Sequence, residues 1–162
     1  MIISNETSYL YSMNGTPLNN ICLEGDMIDI GFGREITAKD LSNARRKRPQ
    51  FNLHIQCPFR ILRPNRTKVV ASYDTYIKPD IQSCEFRTQF EYLINQWIQN
   101  SGCLYVKNVK LDQTGDLAIT LSNADLIEVF IDTTTDAECW RFFEIGSDIG
   151  HLVAYGNRIV LE

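Results

Sequence analysis

The stretch FNLHIQCPFRILRPNRTKVVASYDTY, residues 51–76, decides the fold, because its order returns in LIEVFIDTTTDAECWRFFEIGSDIGHLVAY, residues 126–155. Each reads as an alternating apolar strand, an aromatic-Arg-apolar triplet and a second short apolar strand. Phe59-Arg60-Ile61 answers Trp140-Arg141-Phe142, and Val69-Val70-Ala71-Ser72-Tyr73 answers His151-Leu152-Val153-Ala154-Tyr155. The flanks match as well. Residues 18–23 and 27–32 form a hairpin across Glu24-Gly25-Asp26, and residues 106–111 and 117–121 form another across 112–116, each with Gly-Asp before its second strand. The expectation is an α+β fold in one domain over 1–162: two related antiparallel β-meander halves, about 16–80 and 104–162, joined by one amphipathic helix.

That helix is expected over 84–100, with Ser83 as N-cap, Glu85 in the first turn and Gly102 past the end. Phe86, Phe90, Leu93, Ile94, Trp97 and Ile98 recur at helical spacing and give it a broad apolar face for a sheet. A shorter helix is expected over 5–14, capped by Asn5 or Thr7 and stopped by Gly15. Residues 33–50 are the least regular stretch. They read as a solvated loop with a turn of helix capped by Thr37 and ended by Pro49.

An apolar content of 44% over 162 residues supports a real core and excludes the disordered class. Five cysteines, odd in number and without a Cys-x-x-Cys pair, suggest neither a disulfide framework nor a zinc ribbon. They read as reduced and mostly buried, which places the chain in the cytoplasm. No apolar run approaches the roughly 18 residues of a membrane span, so no membrane association is expected.

The net charge of −4 hides an asymmetry. Residues 1–80 hold 11 Lys/Arg against 8 Asp/Glu, and residues 81–162 hold 5 against 12. Locally, 39–68 carry nine basic residues against Asp40 alone, and 112–148 carry nine acidic residues against Arg141 alone. Blocks of opposite sign can face each other or face partners.

Catalytic signatures are missing. Gly31-Phe32-Gly33 begins like a dinucleotide fingerprint, but Ile36 stands where the third Gly belongs. No catalytic residue, metal or cofactor is expected, and the chain reads as a binding protein rather than an enzyme. The candidate binding residues are electrostatic. Arg45, Arg46, Lys47 and Arg48 form a run suited to phosphates. Asp132, Asp136 and Glu138 lie in the acidic stretch and suit a basic partner. Arg60 and Arg141 each follow an aromatic, Phe59 and Trp140, so each suits either a ligand carboxylate or phosphate with the ring as a wall, or a cross-strand carboxylate. His54 and His151 are read as polar positions of alternating strands, with a general base or a metal pair as the alternative.

Residues 53–60, Leu-His-Ile-Gln-Cys-Pro-Phe-Arg, with Glu138-Cys139-Trp140-Arg141-Phe142-Phe143, resemble a group of small bacterial proteins in which a Leu-x-Ile strand leads to a Phe-Arg or Trp-Arg step and Glu-x-Trp-Arg recurs near the end. The resemblance implies no activity and no catalytic residue. By analogy of class, small acidic α+β bacterial proteins often act as immunity proteins to toxins. The expected function is a non-enzymatic protein-binding module of this kind with a protein partner such as a toxin. An enzyme or small-ligand module using the histidines and arginines, and nucleic-acid binding through the basic loop, are the alternatives. A homodimer through open strand edges is a further expectation.

Overall fold

A computed structural model describes residues 1–3, 5–39, 42–81 and 85–162. The strands are β1 (Ile2–Ile3), β2 (Leu18–Glu24), β3 (Met27–Lys39), β4 (Arg45–Ile55), β5 (Phe59–Leu62), β6 (Lys68–Ala71), β7 (Val106–Leu111), β8 (Leu117–Leu121), β9 (Leu126–Val129), β10 (Glu138–Glu144), β11 (His151–Tyr155) and β12 (Arg158–Leu161). Among the described residues one α-helix, α1 (Gln89–Ser101), lies between β6 and β7 in the chain, and 3-10 helices cover Asn5–Met13 and Ser72–Thr75. Two sheets, antiparallel apart from the β1–β12 pair, hold the strands in the orders β1-β12-β11-β10-β4-β3-β2 and β6-β5-β9-β8-β7. The fold is α+β, dominated by antiparallel sheet.

The halves are not separate meanders. In the first, β2-β3-β4 form a three-stranded meander in the larger sheet, and the fourth strand, β5, crosses with β6 to the smaller one. In the second, β7-β8-β9 form a meander in the smaller sheet, and β10 with β11 crosses to the larger. Alternation tells which side chains share a face and is silent about which strand sits alongside.

Strand for strand, β2 to β6 correspond to β7 to β11 in order and in register. Phe59 faces Val129 where Trp140 faces Ile55, and Arg60 faces Glu128 where Arg141 faces His54. Arg60 also faces Ala71 where Arg141 faces Val153. Both hairpins carry a register shift at the same rung, Leu18/Asn20 and Val106/Asn108. Two bonds cross between the starts of β2 and β7, Leu18 N to Leu104 O at 2.9 Å and Val106 N to Thr16 O at 2.9 Å, around a Pro17–Tyr105 bridge.

One core joins the sheets. Ile28, Ile30, Leu53, Trp140, Phe142 and Leu152 come from the larger sheet, and Ile61, Leu117, Ile119, Ile127 and Val129 from the smaller. The helices close the sides. Helix α1 packs against β6 and β2, the end strands of the two sheets, and buries Phe90, Ile94 and Trp97, each contributing on the order of 2 kcal/mol. The first 3-10 helix inserts Leu10 and Met13 beside β7, β11 and β12.

The helix begins later than its apolar spacing suggests. Thr88 is the N-cap: its Oγ1 accepts from Glu91 N at 3.2 Å while Glu91 Oε2 accepts from Thr88 N at 3.4 Å. This reciprocal box satisfies two amides that would otherwise lack partners. The expected cap Ser83 and first residue Cys84 lie outside the described residues, and Phe86 precedes the helix. Thr7 falls inside the first 3-10 helix rather than at its cap. Cys22, Cys57, Cys103 and Cys139 are free, and of these Cys103 is exposed. Among the described residues no helix is long and apolar enough to cross a membrane.

A basic arm and the cleft beneath it as candidate functional site

The expected loop at 33–50 is a β-ribbon. The β3–β4 ladder runs from Ile28/Ile55 to Phe32/Phe51, shifts, and resumes from Glu35/Pro49 to Lys39/Arg45. At the shift Gly33 and Arg34 stand opposite Gln50 alone, a bulge that sharpens twist and bends the pair. Gly33 has φ +86°, and a Cβ there would lie 2.9 Å from Gln50 Cβ. A side chain is excluded on both counts. Beyond the bulge β3 and β4 pair only with each other, since β2 reaches Phe32 and β10 reaches Phe51. The run of basic residues hid this ribbon, because its strands lack apolar alternation.

Residues 34–48 carry Arg34, Lys39, Arg45, Arg46, Lys47 and Arg48 against Glu35 and Asp40. All six cations are exposed. Register places Lys39, Arg45 and Lys47 on one face of the ribbon and Arg46 and Arg48 on the other, so both faces are cationic. Lys47 Nζ reaches Glu35 at 3.4 Å with both side chains mostly in water, a pair that neutralises one charge and adds little stability.

The arm borders an open cleft of about 360 Å³ lined by Lys39, Arg48, Phe143, Glu144, Gly146, Ser147 and His151. Gln50 anchors the near wall: its Nε2 donates to Glu144 Oε1 at 2.7 Å and its carbonyl accepts from Ile145 N at 2.9 Å. On the cleft floor the rings of Phe143 and His151 stack at 4.3 Å and 11°. His54 meets the same Phe143 edge-on at 4.9 Å.

Arg141 orders His151. Its Nε and Nη2 donate to Glu138 at 3.0 and 2.8 Å, and its Nη1 donates to His151 Nδ1 at 2.9 Å. A guanidinium only donates, so Nδ1 is the bare nitrogen and the ring proton sits on Nε2. Burial, reinforced by the Arg141 charge, pulls the His151 pKa below its ordinary 6.5. Burial also lowers that of His54, against the pull of Asp29, whose carboxylate lies 3.6 Å from Nε2. The Arg141 hydrogen bonds hold Glu138 below the usual carboxylate range.

Other candidates fall elsewhere. Arg60 lies on the smaller sheet, donates to Glu128 at 2.5 Å and covers Phe130 at 4.9 Å, so the two arginines do not share a site. Trp140 is fully buried and donates to Gly115 O at 3.0 Å, which removes it as a ligand wall. The acidic stretch is largely spent on the fold: Asp136 pairs with Arg158 and Asn157, Glu138 with Arg141, and Asp112 Oδ1 accepts from Thr114 and Asp116 in its turn. Asp132 is exposed. Among the described residues no three His, Cys, Asp or Glu side chains gather for a metal ion. No protein-family model, curated protein or solved structure matches the chain. Lys39 and Phe143 were not singled out by sequence reasoning. The period-two pattern from Trp140 to Phe143 puts Phe143 on the Arg141 side of the fold's outer surface, and only the arm's pairing brings Lys39 beside it.

Proposed function

We propose that this chain is a binding protein whose partner is a nucleic acid, gripped by the β3–β4 arm. The observation that carries the reading is the correspondence of the halves. Residues 33–50 stand where 122–124 stand, since Gly33 N donates to Pro17 O at 2.8 Å as Ser122 N donates to Tyr105 O at 2.8 Å, and Phe51 occupies the rung of Asp125. A short turn satisfies the fold at this place. The arm adds exposed cations and almost no core. Cations on both faces of a two-stranded ribbon suit a phosphate backbone that wraps it.

The test is fluorescence anisotropy with labelled single-stranded and duplex oligonucleotides at several salt concentrations. Affinity is expected to fall steeply with salt, and Arg45→Ala/Arg46→Ala/Lys47→Ala is expected to lower the log–log slope by about 2 to 3. Wild-type protein that binds neither probe at low salt ends the reading.

A protein partner is the second reading, favoured by Tyr73 and Tyr76, each 73% exposed and in ring contact at 6.3 Å, beside exposed Ile77 and Ile81. Exposed tyrosines clustered with aliphatic residues suit protein interfaces. The immunity-type inhibitor belongs to this reading, but its acidic surface has less to offer while Asp136 and Glu138 serve Arg158 and Arg141. Tyr73→Ala/Tyr76→Ala that keeps every partner retained by the wild type in a pulldown removes the patch from consideration.

A further inference from the structure

We infer that the cleft beneath the arm seats one unstacked nucleotide, so that the nucleic acid bound is single-stranded. This rests on the arm reading and deepens it. Lys39 and Arg48 stand at the cleft wall, where cations meet backbone phosphates. Phe143 and His151 line the same space as a stacked ring pair, and sequence-independent single-strand binding combines such a cationic groove with aromatic platforms. The Arg141 bond to Nδ1 fixes His151, a lining residue of the cleft, with its proton on Nε2 as a donor for a base edge or phosphate oxygen.

The geometry also selects the strand state. Bases in a duplex are stacked on their neighbours and present only edges, whereas the ring pair forms part of the lining of a cleft bounded by the arm and the β10–β11 turn. Only a base turned out of its stack reaches it. Among the described residues Glu144 is the single carboxylate in the lining, and its bond from Gln50 Nε2 keeps one oxygen occupied. The lining therefore carries a modest positive excess that suits one phosphate and its base.

The decisive probes are a fluorescein-labelled ten-residue oligothymidylate and a 20-base-pair duplex, with the full chain. The oligothymidylate is expected to bind about tenfold tighter than the duplex, and Phe143→Leu is expected to weaken oligothymidylate about tenfold while leaving the duplex unchanged. Circular dichroism and Tm establish that the variant folds. Independently of any variant, the His151 Hε1 proton resonance of the wild type is expected to shift on titration with oligothymidylate and to stay put with duplex. Equal affinity for both probes, or an unmoved His151 resonance, overturns the cleft while leaving the arm standing. Binding to neither probe overturns both.

Discussion

The β3–β4 and β8–β9 hairpins occupy equivalent places, and they end differently. The second closes as soon as the sheet allows: Leu121 N donates to Asp125 O at 2.9 Å and Ala124 N to Leu121 O at 2.9 Å, with Ala124 at φ +65°. The first passes the same rung, bulges at Gly33 and continues as a two-stranded ribbon. Asp125, in the place of Phe51, is 1% exposed and accepts from Trp97 Nε1 at 2.7 Å, Arg63 Nη1 at 3.1 Å and Asn123 Nδ2 at 2.8 Å. One hairpin end thus ties α1 and the residue after β5 to the sheet, and the other runs on past the last shared rung to border the cleft at Phe143 and His151. Where the scaffold is held constant, the difference separates what the fold requires from what it carries.

The sharpest way to break this comparison is to make the first hairpin like the second. Replacing residues 33–50 with Ser-Asn-Ala, the residues of 122–124, is expected to leave a cooperatively folding protein and to abolish oligonucleotide binding in anisotropy. Loss of the cooperative thermal transition would show that the arm belongs to the fold.

The reverse test strikes the closed end. Asp125→Ala leaves the Trp97 and Arg63 donors facing a site from which their carboxylate is gone, and a broken buried ion pair costs about 3 to 5 kcal/mol. Arg63 is partly exposed and recovers water, so the lower end of that range is expected in urea denaturation. Phe51→Ala, its equivalent, fails by a different mechanism. It empties a ring stacked on Phe142 at 5.6 Å and forms a cavity, with no orphaned charge.

How far the sequence discloses this depends on what sets each feature. The hairpins 18–32 and 106–121 follow from local alternation and Gly turns, and the matched triplets at Arg60 and Arg141 fall on equivalent rungs because register follows the same alternation. The crossing of β5 and β10 between sheets is a choice of neighbour, which no periodicity encodes. The arm was hidden because four consecutive cations mask a strand, and the cleft because Lys39 and Phe143 meet only through pairing between distant segments. The start of α1 is set by the Thr88–Glu91 box, whereas the apolar spacing that runs back to Phe86 points to Ser83 as the cap. Trp140 gave no signal that separates a ligand wall from a core residue, since both want an aromatic in a strand.

The histidines mark another divergence between equivalent rungs, where the first half has His54 and the second has Glu128. Both His54 and His151 have folded pKa values below 6.5, chiefly through burial, so below that value the unfolded chain binds more protons than the folded one. Their contribution is present above about pH 6.5 and is lost as pH falls through the folded values. Urea midpoints are expected to drop between pH 7 and pH 5, and His54→Gln/His151→Gln is expected to flatten that drop. An unchanged slope in the double variant would assign the acid sensitivity to carboxylates such as Glu138.

The smallest effect is expected at the matched arginines. Arg60, about a third exposed, meets Glu128 across the strand; Glu128 keeps Arg66 at 3.6 Å and Arg60→Met keeps the stem over Phe130, so the change is expected to cost about 1 kcal/mol or less. Arg141 faces His54 instead of a carboxylate, and its guanidinium turns to Glu138 on its own strand and spares Nη1 for His151. Arg141→Met removes a charge that lowers the His151 pKa and the donor that keeps Nδ1 bare. The His151 pKa is therefore expected to rise toward 6.5, read from its Hε1 shift against pH, while Arg60→Met leaves that titration in place. If both variants leave His151 unmoved, Arg141 is as structural as Arg60. If only Arg141→Met moves it, the same rung of one scaffold holds a structural ion pair in one half and, in the other, the group that sets the proton position of the candidate site.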